Sequence, residues 1–375
     1  VTKELYYCKE NANRIIKSDR IVIYGARIVA NEVANCLEGK PYNKQIEAFM
    51  VTNKTNNPES LMGKPVITIE EGKYKYRDAL IIVAVLEKYI DEIEKELKYN
   101  GFENVIICGF ESDLWSGLRG NYFREICLEK YGEYKTLEEE IGKVQEKSNS
   151  CVGIYSAKCH LDKKLKEKQI YPWEKTIQVG AALTEQSICD IKDNIGDNIS
   201  LKNKEYCELT ALYWIWKNDK SDYKGLGHYR RHFKLDEEVI EKLGNSKIDV
   251  ILTIPILNFP SVGVMYANDH IKDDWNIMIQ IIKEKHPEYY NSAIEIQNGI
   301  YYYAYNMIIA KKEIFDEYCE WLFSIIFECE KRCSPKKDKY QCRYLGFLSE
   351  RLLSIFFVHN WNKWNIVHAE KKFLN

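Results

Sequence analysis

The run Gly227-His228-Tyr229-Arg230-Arg231 places two guanidiniums and an imidazole within four residues. Arginine forks match phosphate geometry, and an imidazole adds a titratable nitrogen, so this run could clamp a diphosphate without a metal. Two other chemistries compete. His228 could ligate a divalent metal, Mn or Mg, with a carboxylate from elsewhere. Arg230 and Arg231 could instead pair with buried carboxylates, because arginine is seldom buried alone.

Carboxylates and amides of matching chemistry lie on either side of that run. Glu208 falls in an apolar helical stretch, on one face with Leu212 and Ile215,. A carboxylate there needs a partner, and Arg230 or Arg231 is the expected one. Asp269 and His270 open a predicted helix after a Tyr-rich loop, where either could serve an acceptor hydroxyl or act as a plain N-cap,. Glu350 starts a late apolar helix beside Arg351 and is the second candidate base; a local ion pair with Arg351 or Arg343 is its plain alternative. Asn306 sits in the middle of a strand-like segment, facing a cleft or satisfied within the sheet. Asp193, Asn194, Asp197, Asn198 and Asn203 form a dense Asp/Asn block. Such side chains grip ribose or sugar hydroxyls, yet they also make Asx-turns and helix caps.

These residues need a scaffold, and the chain alternates strand and helix signals throughout. Arg20–Tyr24, Ile46–Val51, Ala79–Val85 and Asn104–Cys108 read as strands separated by helices over Ile28–Leu37 and Tyr89–Tyr99,. The continuous apolar run Ala79–Val85 is that of a parallel strand buried on both faces. A Glu/Lys-rich helical stretch follows. Then come strands from Cys151, at Tyr223–Leu226, Ile248–Ile254 and Tyr301–Ala310, with helices over Asn203–Lys217, Asp269–Glu284, Glu313–Phe327 and Leu345–Val358. Repeated β-α units predict parallel sheets. With 375 residues, two domains are expected,. The predicted division is 1–115, a helical linker over 116–149, and 150–375.

Composition removes several classes. A net charge of −2 argues against a general nucleic-acid binder,. Twenty-seven Tyr and eight Trp suit sites that stack on sugars or bases, since those rings pair an apolar face with a polar tip,. Nothing at the N-terminus reads as a signal peptide and no apolar run is long enough to span a bilayer, so a cytoplasmic location is expected. The twelve cysteines are scattered, as reduced thiols would be,. Cys329, Cys333 and Cys342 form a local cluster, but no CxxC pair or nearby His completes a metal site there,. Gly25 sits between a strand and a helix, yet Arg27 and Ala30 occupy the places of the other dinucleotide-turn glycines, and Thr52-Asn53 stands where a ribose-binding acid belongs,.

Residues 1–110 resemble the N-terminal Rossmann-like domain of bacterial sugar acetyltransferases, through Ile23-Tyr24-Gly25-Ala26, Ala48-Phe49-Met50-Val51 and Leu61-Met62-Gly63-Lys64-Pro65-Val66. The hexapeptide repeats of their transferase half are missing, so acetyl transfer is not implied. Residues 151–360 resemble DUF4422, a family of bacterial capsule and lipopolysaccharide gene clusters regarded as glycosyltransferases. The likeness rests on Ile177–Leu183, on Asp193–Ser200 running into Tyr206–Asn218, on Gly225–Arg231, on Tyr305-Asn306-Met307, and on Gly346–Leu353. It implies an α/β chain, with a GT-A-like glycosyltransferase domain behind the Rossmann-like one. It implies a nucleotide-sugar donor, UDP-linked by preference, and a saccharide acceptor, lipid-linked, reached by peripheral membrane contact. In that setting His228, Arg230 and Arg231 stabilise the departing diphosphate. Asp269 or Glu350 takes the acceptor proton. The Cys151–Ala157 strand and the Ile177–Leu183 block, with His160, Gln178 and Gly180, line the nucleotide pocket. No Asp-x-Asp follows the helix–strand unit, which keeps open a non-catalytic scaffold or sugar-nucleotide sensor as the alternative. An NAD-dependent sugar oxidoreductase draws on the first domain only.

Overall fold

The computed structural model describes residues 3–166 and 171–374, and the chain divides into two compact units, Val1–Tyr134 and Lys135–Asn375.

In the first unit, strands β1 (Ile21–Tyr24), β2 (Ile46–Val51), β3 (Ser60–Leu61), β4 (Lys64–Thr68), β5 (Leu80–Val83) and β6 (Val105–Ile107) form one sheet in the order β3-β4-β2-β1-β5-β6. All neighbours are parallel except the β3–β4 hairpin. The strand order reverses between β1 and β5, as in a doubly wound dinucleotide-type sheet. Helices α1 (Lys3–Lys17), α2 (Ile28–Glu38), α3 (Ile69–Lys75), α4 (Ile90–Tyr99) and α5 (Asp113–Tyr131) complete it. The apolar runs that predicted buried strands are buried: β1 and β5 have every residue inside. Gly25 has a local reason to be glycine. Its φ is +122°, and a Cβ there would stand 2.7 Å from the Ala84 carbonyl.

The 116–149 stretch is not a free linker. Ser112 caps α5 through the Trp115 N–H, and Trp115, Leu118 and Phe123 are buried in the first unit. The next helix, α6 (Leu137–Ile141), buries Leu137 and Ile141 in the core of the second unit with Ile154, Ile251 and Val367.

The second unit is built on a mixed sheet. Its strands are β7 (Val152–Lys158), β8 (Glu174–Gln178), β9 (Ile191–Lys192), β10 (Tyr223–His228), β11 (Arg231–Phe233), β12 (Val250–Thr253), β13 (Ile256–Leu257), β14 (Tyr301–Tyr302), β15 (Ile308–Lys311), β16 (Ile366–Ala369) and β17 (Lys371–Phe373). The main path is β9-β8-β7-β10-β15-β12-β16, and β15 alone runs antiparallel to its neighbours. β11 turns off the end of β10 and pairs with β17; β13 and β14 form a small separate ladder. Helices α7 (Asn203–Tyr206), α8 (Leu209–Asn218), α9 (Glu237–Lys242), α10 (Val262–Asp269), α11 (Lys272–Lys285), α12 (Tyr290–Asn298), α13 (Lys312–Arg332) and α14 (Tyr344–His359) pack around it. Among the described residues no helix is long and apolar enough to cross a membrane. The eleven described cysteines are free thiols.

Three predicted elements are corrected, and each correction falls near the candidate chemistry. The expected helix over Asn203–Lys217 breaks at Cys207, whose φ is +52° and ψ −128°, so Glu208 heads a new helix. The expected strand Tyr301–Ala310 is interrupted by Tyr305 and Asn306, both left-handed at φ +69° and +51°. Asp269 does not open a helix. It ends α10, His270 is the C-cap, and α11 starts at Lys272.

Candidate functional site

β10 is central in its sheet, and its last residue, His228, emerges at the C-terminal edge beside Ala157 of β7. In open α/β sheets that edge is where ligands bind. Four side chains from distant parts of the sequence meet there. His228 Nε2 lies 2.7 Å from the Tyr305 carbonyl. A carbonyl only accepts, so the imidazole carries its proton on Nε2 and leaves Nδ1 as the lone pair. Glu208 Oε1 stands 3.9 Å from the same Nε2 and accepts a hydrogen bond from Asn306 Nδ2 at 2.7 Å. Glu350 accepts the Tyr305 N–H at 2.7 Å on one oxygen and Arg351 Nη1 at 2.9 Å on the other.

The Tyr305–Asn306 turn is therefore the keystone. One peptide segment receives His228, orients Glu350 and, through the Asn306 amide, holds Glu208. Left-handed φ is uncommon for asparagine and costly for tyrosine, and Cys207 next to Glu208 is strained as well,. Strained backbone persists where surrounding contacts over-determine it, and it clusters at ligand sites. The Cys207 corner is fixed by Asn203, whose amide donates to the Cys207 carbonyl at 2.7 Å and to Thr210 Oγ1 at 3.1 Å.

The site is half-buried and electrostatically tuned. His228, Glu208 and Glu350 keep 18%, 11% and 15% of their side chains exposed, so none is sealed from a ligand. Burial raises the Glu350 carboxyl, and the Glu208 charge pushes the same way; Arg351, the Tyr305 N–H and Arg343 oppose them. Burial lowers His228, with Arg231 adding to it and Glu208 resisting. A raised carboxyl beside a neutral imidazole is the setting of a general base.

Arg230 and Arg231 follow β10 directly, while the contacts seen at Glu208 come from Asn306 and His228. Arg231 lies 4.1 Å over the Tyr305 ring and 5.0 Å over Phe373. Arg230 stacks on Phe373 at 4.5 Å and donates from Nε to the Leu374 carbonyl at 3.3 Å. Both are partly exposed. Glu208 Oε1 is met by the Asn306 amide, far away in sequence.

Several polar groups of the Asp/Asn block bond to their own and neighbouring loops. Asp193 is fully buried and accepts the Gly180 N–H at 2.8 Å, the Ala181 N–H at 3.0 Å and the Ser200 hydroxyl. Gly180 has φ +63°, and a Cβ there would stand 2.7 Å from Asn203 Oδ1. Gln178 is buried and its amide staples the following loop, donating to the Gln186 carbonyl and accepting from Ile188 N. Asn198 makes a local turn with Gly196 and Ser200. Asp197 is exposed and accepts from the Tyr213 hydroxyl at 3.1 Å. These residues shape the loops; Asn194, half-buried, has an Oδ1 that no described group bonds. His160 is half-buried just past β7, its Nδ1 3.7 Å from Cys159 Sγ.

Asp269 is exposed at the end of α10, and His270 stacks on Phe347 with ring centroids 4.0 Å apart. Burial, with Arg351 and Arg343, pushes His270 down to about 3, so it is neutral and no proton carrier near neutrality.

Three contributors escaped the sequence reading. Asp162, two residues beyond His160, accepts the Cys159 N–H at 2.7 Å, and its charge acts on His228. An acid just past a sheet's C-terminal edge was the available signal. Arg343, considered only as a partner for Glu350, donates from Nε to Cys207 Sγ at 3.3 Å and offers a third guanidinium. Tyr305 acts through its main chain, which no residue-type pattern reveals. As for a metal, no group of three His, Cys, Asp or Glu among the described residues is placed to hold one, and His228 Nε2 faces a carbonyl.

The family model described as a domain of unknown function (DUF4422) matches residues 154–361. Among solved structures, the chain is similar to the "WbbM bifunctional glycosytransferase apo structure", at 27% identity and TM-score 0.50, over 60% of this chain and 45% of that one. The chain thus spans under half the length of that protein. A second structure, "RSP, a Rex-family repressor", is 14% identical at TM-score 0.22, over 28% of this chain and 59% of that one, and carries no argument. No curated protein matches.

Proposed function

This chain belongs to the DUF4422 family, and we propose that its second unit transfers a hexosyl group from a nucleoside-diphosphate sugar, UDP-linked by preference, to a saccharide acceptor. The setting is bacterial surface polysaccharide synthesis, with a cytoplasmic protein working on a lipid-linked acceptor at the membrane's inner face. The likeness to a protein described as a bifunctional glycosyltransferase supports the reaction class. The observation that carries the reading is the convergence of Glu208, His228 and Glu350 on the strained Tyr305–Asn306 turn at the end of β10.

The residues divide the work as follows. Glu350, raised by burial and aimed by the Tyr305 N–H, takes the proton of the attacking hydroxyl. Glu208, held by Asn306, sets the negative field that favours the oxocarbenium-like charge developing on the donor sugar,. Arg231, Arg230 and Arg343 supply positive charge to the leaving diphosphate. His228 is a positioning residue rather than part of the clamp: burial keeps it neutral, and its proton is committed to Tyr305.

The test is donor hydrolysis and transfer by the purified chain with a panel of nucleotide sugars, with and without manganese. Turnover of at least one donor, reduced in Glu350→Gln, supports the reading. A folded protein that binds nucleotide sugars but never turns one over supports the scaffold role instead.

A further inference from the structure

The segment between α13 and α14 is tied down at both ends. The Lys336 side chain is 5% exposed and reaches Asp274, whose side chain is 3% exposed, at 2.7 Å, with its ammonium 4.5 Å over the Tyr344 ring. Removing either partner of a buried ion pair would leave the other charge buried and uncompensated, which is costly. Two residues on, Asp338 Oδ1 accepts the N–H groups of Tyr340 at 2.9 Å and Gln341 at 2.8 Å. Gln341 then donates from Nε2 to the Asp269 carbonyl at 2.9 Å. This much fixation holds one large side chain in the open: Tyr340 is 50% exposed.

Its surroundings are organised. Tyr340 stacks on His270 with centroids 5.8 Å apart and planes 20° from parallel, and lies 5.1 Å from Phe347. Arg343 covers Phe347 at 5.5 Å. The neutral imidazole and Phe347 form a rigid apolar backing, so the Tyr340 ring cannot fold away from solvent without losing its stack. Gln341, the next residue, ties this segment to the Asp269 main chain, and the charges of Asp269, Arg343, Glu350 and Arg351 all act on the Tyr340 phenol.

We infer that Tyr340 is the platform on which the acceptor sugar ring lies, with Asp269 binding its hydroxyls and Glu350 facing the hydroxyl that attacks. A pyranose has an apolar C–H face that an aromatic ring covers well and an equatorial hydroxyl rim that a carboxylate grips, two bonds per group. This assigns Asp269 to substrate binding rather than to proton transfer. The inference rests on the transferase reading for its orientation toward Glu350, but the binding itself is separable.

The probes are methyl glycosides of galactose, glucose, mannose and rhamnose, followed by saturation-transfer NMR on the full chain, with UDP binding by calorimetry beside it. The expected result is saturation of one face of at least one glycoside, weakened about tenfold by Tyr340→Ala and kept by Tyr340→Trp. The same glycoside binding in Tyr340→Ala, no binding of any glycoside by the unaltered chain, or a parallel fall in UDP affinity in Tyr340→Ala would each overturn the platform. Binding of glycosides through Tyr340 without hydrolysis of any nucleotide sugar keeps the platform and sinks the transferase reading. Donor hydrolysis with indifferent glycoside binding does the reverse.

Discussion

The main-chain N–H of Tyr305 donates to Glu350 at 2.7 Å, and it does so from a left-handed residue, φ +69°. A carboxylate aimed by a strained peptide cannot swing freely, and its neighbours Arg351 and Glu208 then decide its charge. Burial and Glu208 together hold the carboxyl above the usual carboxylate range.

That geometry makes a pH prediction. A base works only when deprotonated, so activity falls as pH drops through the Glu350 pKa. Because that pKa is raised, the acid limb of the kcat/KM profile lies above pH 4.5,. Glu350→Gln removes the limb and lowers the rate by about 10²–10⁴-fold, the range of general-base contributions. An acid limb in the normal carboxylate range, or one that survives the substitution, contradicts the assignment.

The Asn306 amide tests the turn. Asn306→Ala removes the hydrogen bond to Glu208 and puts a less suitable residue at φ +51°. Asn306→Gly removes the same bond but relieves the backbone. The expected order is activity lost in both, with stability lower in Ala than in Gly by about 1 kcal/mol, as measured in urea. Equal stability means the strain is not borne at this residue.

Arg231→Ala tests the charge opposite the leaving group. Losing one such donor typically costs about 10²–10³-fold in turnover. The loss falls on donor turnover, and Arg231→Lys restores only part of it, because an ammonium is a point charge without the fork. Full activity in Arg231→Ala transfers the clamp to Arg230 and Arg343.

The first unit offers a separate check of the fold's electrostatics. Glu32 on α2 is 2% exposed, one of its oxygens has no hydrogen bond, and burial raises its pKa to about 8 despite the nearby Arg119 charge. Between 4.5, its ordinary value, and about 8 the folded state keeps a proton that the unfolded state has released. The unfolded state binds fewer protons there, so this group's contribution falls as pH rises through that window. Glu32→Gln therefore raises Tm more at pH 8 than at pH 5. A Tm gain of the same size at both pH values would mean Glu32 is ionised in the fold.

Much of the scaffold was legible. Uninterrupted apolar runs such as Leu80–Val83 marked the parallel strands, and the His228–Arg231 run sits at a strand's C-terminal edge as expected. What stayed hidden has physical causes. Tyr301–Ala310 reads as one strand because β-favouring aromatics surround a turn that carries no glycine, and the turn is made by tertiary contacts to His228 and Glu350. Asp193 reads equally as a ligand residue or a loop former, because composition cannot say whether a carboxylate faces a sugar or, as here, its own loop's N–H groups. Glu208's partner lies 98 residues away, and spacing is silent at that range.

Transfer chemistry is read most directly as UDP release. The purified chain is supplied with UDP-sugars and a saccharide acceptor series, and the same assay is run on Glu350→Gln with its fold verified by circular dichroism. The expected result is acceptor-stimulated UDP release that drops by about 10²-fold or more in the variant. Release that is absent from the unaltered chain, or unchanged in Glu350→Gln, contradicts it.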